Sequence, residues 1–80
     1  MLREATLASV ILPEQTQASG KLTGELRLRT ATGASIVGIQ RDGAAIINPG
    51  PDEELRAGDE ILLLGSAAHL DAARTHLEQA

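Results

Sequence analysis

Thr6–Leu12 (TLASVIL) sets β-branched and aliphatic residues side by side and stops at Pro13, the pattern of a short strand ending in a turn. A polar connector, PEQTQASG, runs from Pro13 to Gly20. Leu22 and Leu26 then stand four residues apart, which puts both on one face of a helix opening at Ser19 or Gly20. Gly24 inside that helix costs about 1 kcal/mol relative to alanine, so packing rather than propensity must hold it. After Arg29 the periodicity stops, and TATG reads as a connector that closes at Gly33. Ile36, Val37 and Ile39 form a β-branched strand, Asp42-Gly43 is a favoured pair for a tight hairpin, and Ala44–Ile47 is the return strand. Asn48-Pro49-Gly50-Pro51 breaks that strand, because the two prolines have no backbone donor, and it reads as a rigid corner. Asp52–Leu55 is expected to make a single turn before Ala57-Gly58-Asp59 reverses the chain. Glu60–Leu64 is almost wholly apolar, as in a central strand covered on both faces. Gly65 ends it, Ser66 is placed to cap a final helix, and Leu70, Ala73 and Leu77 line one face of that helix. The order β-α-β-β-β-α predicts a small α+β fold, its sheet mainly antiparallel and its helices on one face.

Composition sharpens this picture. Eighty residues without a low-complexity linker make one domain, residues 1–80 with a core over 5–78. A chain near this length hides only about 60 % of its unfolded surface. This one has no aromatic residue and no cysteine, so its core is Leu, Ile, Val and Ala and no disulfide or thiolate zinc site can reinforce it. Oligomerisation, or attachment to a larger protein, is therefore expected. The net charge of −4 and the lack of any basic run oppose binding to a nucleic acid polymer. Leu7–Leu12 is too short for a signal sequence, and nothing approaches the ~20 apolar residues of a membrane span. The expectation is a cytosolic chain with no direct membrane insertion.

Candidate chemistry is sparse. Serines, two histidines and many acids are present, but no serine sits in a G-x-S-x-G turn, so no nucleophilic triad is predicted. His69 and His76 lie seven apart, two helical turns and not the single turn that lets two imidazoles share a metal; His76 is expected to face the dipole at the helix C-terminus. Asp52, Glu53, Glu54, Asp59 and Glu60 match no calcium loop and read as a solvated acidic turn. The glycines fit neither a dinucleotide fingerprint nor a P-loop. Arg27, Arg29 and Arg41 remain, since guanidinium forks suit phosphate oxygens; taken singly, each reads as a solvent-facing charge. The chain is expected not to be an enzyme.

From Leu26 to Gly65, LRLRTATGASIVGIQRDGAAIINPGPDEELRAGDEILLLG resembles the TrkA C-terminal domain family, the C-terminal half of RCK regulators of potassium transport. The most specific parts are TGASIVGIQRDG, the INPGP corner and the LRAGDEILLLG ending. The resemblance extends more weakly to both ends of the chain. It implies a cytosolic regulatory module that pairs as a homodimer and reports a ligand or conformational signal to a potassium channel, a Trk/Ktr transporter or a cation/proton antiporter at the inner face of the membrane. No cofactor is implied. In members that bind cyclic di-AMP the nucleotide lies across the dimer two-fold, where one set of residues serves twice. By position, Arg29 would face a phosphate, Leu28 and Ile36 would border the base, and the corner at Pro49 would close the pocket. Ser35 stands where nucleotide-binding members often carry asparagine. The Rossmann half that usually precedes this domain is absent from the chain. The alternative implied function is a purely structural dimerisation module with no ligand of its own.

Overall fold

Alternation along the last strand decides where the core lies. In the computed structural model, which describes residues 5–14, 16 and 18–79, Ile61 and Leu63 of that strand are fully buried while Glu60 and Leu62 face the other way. The elements in chain order are β1 (Thr6–Ile11), α1 (Thr23–Leu26), α2 (Leu28–Thr32), β2 (Ser35–Arg41), β3 (Ala44–Ile47), β4 (Glu60–Gly65) and α3 (Ala67–Gln79). The four strands make one antiparallel sheet in the order β1-β4-β2-β3, so β4 is central as its apolar run predicts. Ser9 and Gly38 both lie opposite Leu62, and Val10 and Ile39 both lie opposite Ile61, which fixes the two faces. A bulge between Ile36 and Gly38 lets β2 shift register without losing its pairing to β4.

All three helices cover one face. Leu26, Leu28, Leu70, Ala73 and Leu77 pack with Val10, Ile39, Ile61 and Leu63, joined by Leu12 and Leu55 from the loops. Each large aliphatic side chain buried there is worth roughly 1.5–3 kcal/mol, which is how an aromatic-free core suffices. The α3 cap is as expected: Ser66 Oγ accepts from the backbone N–H of His69 at 3.2 Å. The Asp42-Gly43 hairpin also forms, with φ of 50° and 80°, the left-handed pair that a two-residue turn between twisted strands requires.

Several expectations are corrected. The helix read as opening at Ser19 or Gly20 begins at Thr23, and Leu22 instead forms an isolated bridge with Glu54. The helical path does not end at Arg29 but resumes as α2, held by the Ala31 N–H bonded to Arg27 C=O at 2.9 Å. Asp52–Leu55 makes no closed turn of its own. The turn is at Pro51-Asp52, closed by the Glu53 N–H on Gly50 C=O at 3.1 Å, and Glu54 has already joined Leu22. β4 is central but covered on one face only: on the bare face Leu7, Ile11, Ile47 and Leu62 are 59 %, 65 %, 71 % and 37 % exposed.

Candidate functional site

Where β2 begins and β3 ends, the chain builds two walls that face each other across a cleft. One wall is the corner after β3, where Asn48 turns with φ 50° and its N–H bonds Val37 C=O at 3.0 Å. The other is the α1–α2 segment. Backbone and hydroxyl bonds stitch the walls together: Thr23 Oγ1 donates to Gly50 C=O at 2.6 Å, the Gly24 N–H to Pro51 C=O at 3.0 Å and the Thr23 N–H to Glu53 C=O at 2.9 Å. Gly24 permits this approach, because a Cβ there would stand 2.9 Å from Pro51 Cβ and 3.1 Å from Pro51 C=O. That close contact is why a residue so poor in helices occupies α1.

The cleft has a volume of about 400 Å³ and opens widely to solvent. Leu28, Arg29, Ser35, Ile36 and Pro49 all line it, together with Thr23, Gly24, Arg27, Thr30 and Pro51. Leu28 is buried and joins cleft to core, Ser35, Ile36 and Pro49 are half-buried, and Arg29 is exposed. The lining therefore carries two arginines and no acid, in a chain whose net charge is −4. Among the described residues neither arginine forms an ion pair. Apolar walls with two guanidinium groups suit a planar or aliphatic ligand carrying phosphate.

Arg41, the third candidate, is not solvent-facing. Its side chain is 15 % exposed and bonds Asp59 twice, Nε to Oδ1 at 2.8 Å and Nη2 to Oδ2 at 2.7 Å. Nη2 also donates to Glu54 C=O at 2.7 Å, and Nη1 reaches Glu53 at 3.4 Å. Asp59, expected in a solvated acidic turn, is 2 % exposed and accepts a further bond from the Arg56 N–H at 2.9 Å. Hydrogen bonding to Arg41 holds the Asp59 carboxyl below the usual carboxylate range, against burial, and raises Arg41 above its ordinary value. His76 likewise does more than face a dipole, since its Nε2 donates to Leu26 C=O at 2.9 Å and ties α3 to the end of α1. Among the described residues no group of three or more histidine or acidic side chains could hold a metal, and no helix is long and apolar enough to cross a membrane.

A family model described as the TrkA-C domain matches residues 7–78. The chain belongs to the TrkA-C domain family. The same domain occurs in a solved RCK_C domain dimer of S. agalactiae BusR in complex with c-di-AMP, to which the chain is 31 % identical, with a TM-score of 0.84 over 92 % of this chain and 91 % of that one. A longer BusR chain, solved with its busAB promoter DNA, is 32 % identical with a TM-score of 0.83 over 89 % of this TrkA-C domain and 35 % of that chain. The GsuK channel bound to NAD is 28 % identical, with a TM-score of 0.80 over 92 % of this chain and 14 % of that one. An uncharacterised transporter of Escherichia coli (strain K12), YfbS, is 35 % identical over 60 residues, 75 % of this chain and 10 % of the transporter. The TrkA-C domain thus spans only a small part of these longer relatives.

Thr23, Gly24, Thr30 and Pro51 are the lining residues that the sequence does not assign to the site. Nothing in their types marks a site; the Leu22–Glu54 bridge and the bonds from Thr23 and Gly24 to the proline corner draw these walls together across a long loop.

Proposed function

We propose that this TrkA-C domain is the ligand-sensing regulatory part of a potassium or other cation transport system, binding an anionic ligand, cyclic di-AMP, at the seam between two copies of the chain. The observation that carries the reading is the acid-free cleft with Arg27 and Arg29 on its rim and Leu28, Ile36 and Pro49 beneath. Guanidinium groups meet phosphate oxygens, the apolar residues meet the base, and the open side leaves room for a symmetry mate to complete the enclosure. Likeness to the BusR RCK_C dimer over nearly the whole domain supports the ligand and the pairing. YfbS and GsuK, a transporter and a channel, support attachment to a membrane system and with it a place at the cytoplasmic face. Membership of the TrkA-C family supports a sensing role over a catalytic one.

One feature favours a structural dimerisation module instead. The bare sheet face, with Leu7, Ile11, Ile47 and Leu62 exposed, would gain from a second copy whether or not a ligand is present.

Calorimetric titration with cyclic di-AMP, beside sedimentation of the same sample, separates the two. The expected result is a dimer that takes up one ligand per pair. Arg29→Ala should then weaken binding by about 1.5–3 kcal/mol and leave dimer affinity intact. A confirmed dimer that takes up no ligand at high micromolar concentration leaves the structural reading standing, and a stable monomer at micromolar concentration overturns both.

A further inference from the structure

Among the described residues, those other than glycine with positive φ are Arg27 (48°), Asp42 (50°) and Asn48 (50°). Asp and Asn adopt the left-handed region with comparative ease, because a short polar side chain can bond the local backbone. Arginine has no such aid. Arg27, with ψ 41°, is the single residue between α1 and α2, ending one and opening the other. Glycine is the usual residue for such a helix end, and this chain uses glycine in the left-handed region at Gly20, Gly33, Gly43 and Gly58. Arg27 is also exposed, so packing does not require its side chain. Yet it lines the same cleft as Arg29, and among the described residues no carboxylate pairs with it. Backbone held in a conformation its residue disfavours clusters at ligand sites, and Arg27 lies on the lining of a concave one.

We propose that Arg27 is a second anion ligand of the cleft, which with Arg29 grips one phosphate group of a phosphate ester from two sides. The inference rests on the anionic-ligand reading above and adds to it. The left-handed backbone is what brings both arginines to one rim, since residues two apart on a continuous helix diverge by more than a quarter turn. Two forks on one phosphodiester would make the site select ligands by charge before the base is read.

Arg27→Gly relieves the backbone and removes the guanidinium, so stability and binding should move in opposite directions. The melting temperature should rise by a few degrees while affinity for cyclic di-AMP falls about tenfold or more, and Arg27→Lys should lose less. In parallel, ¹⁵N-labelled wild-type protein is titrated with cyclic di-AMP and with inorganic pyrophosphate while the Nε–H signals of Arg27 and Arg29 are followed. Both signals should shift together. If Arg29 responds and Arg27 does not, or if Arg27→Gly binds as tightly as wild type, the second ligand is refuted and the general reading stands. If pyrophosphate moves both signals and cyclic di-AMP moves neither, Arg27 keeps its role and the dinucleotide is the wrong ligand. If neither probe moves Arg27, the inference fails regardless of how the variants fold.

Discussion

Arg41 and Arg29 are the same residue type at opposite ends of one short stretch of chain, and the fold treats them in opposite ways. Arg41 is folded under the loop before β4, with Asp59, Glu53 and the Glu54 carbonyl using its donors. Arg29 stands at the rim of an acid-free cleft, with no ion pair among the described residues. Burial explains the difference. A charge taken out of water must be paired where it lies, whereas an exposed one stays hydrated until something better arrives. Unmet hydrogen-bonding capacity in a concave place, and not residue type, separates the arginine proposed to bind a ligand from the structural one.

The largest expected effect tests the structural side. Asp59→Ala removes the bidentate carboxylate from a mostly buried Arg41, leaving it the longer Glu53 contact and the Glu54 carbonyl, and should cost about 3 kcal/mol in urea unfolding, a large share of the stability of an 80-residue domain. Arg29→Ala, by contrast, should change stability by less than about 0.5 kcal/mol. Similar losses for the two would erase the distinction.

Acid unfolding follows from the same clasp. Arg41 and the Arg56 N–H hold the folded carboxyl of Asp59 below its unfolded value, which is about 3.9. The folded state therefore binds this proton less readily than the unfolded chain. The stability gained is complete above the unfolded value and is lost as pH falls through the lower, folded one. Urea midpoints should hold between pH 7 and about 5 and decline below about 4. Asp59→Asn should start lower and show a shallower decline; an equal decline in both proteins would assign acid sensitivity elsewhere.

Much of the fold follows from local pattern. The strand closed by Pro13, the Asp42-Gly43 hairpin, the two-proline corner and the Ser66-capped helix each depend on neighbours within a few residues, so each is legible. The break at Arg27 is not, because no glycine or proline marks it and α2 offers only Leu28 as a buried position over LRTAT. The run EILLLG hides its exposure for a different reason: an apolar sheet face left bare has the same composition as a buried one. The Arg41–Asp59 clasp joins residues 18 apart and depends on how the loop before β4 returns to β2, which residue types alone do not disclose. At the cleft, the resemblance names residues that fall on one concavity, while the stitching at Thr23 and Gly24 emerges only in three dimensions.

Gly24→Ala sharpens the contrast from the cleft side. Helix propensity favours alanine by about 1 kcal/mol. The added Cβ would stand 2.9 Å from Pro51 Cβ, and crowding of that kind costs roughly 1–3 kcal/mol because the proline corner cannot rotate aside. The clash should win, lowering stability by about 1 kcal/mol and pushing Pro51 away from the cleft, with weaker ligand binding as a consequence. A stabilised variant would mean that α1 does not press on the corner.

The smallest effect concerns Ser35, half-buried beside Ile36 at the start of β2 and lining the cleft. A serine hydroxyl offers adenine one donor or acceptor on a short arm, whereas an asparagine amide presents both to the N6 and N7 edge of the base. If the base rests against this position, Ser35→Asn should tighten cyclic di-AMP binding by about 0.5 kcal/mol, the low end of the net worth of one added hydrogen bond. Binding of cyclic di-GMP, whose guanine offers acceptors at both N7 and O6, should not improve in step. Calorimetry with the two dinucleotides reads this difference directly. An equal gain for both would place the benefit in the pocket wall, and no gain for either would move the base away from Ser35 and leave its polar edge unread at this position.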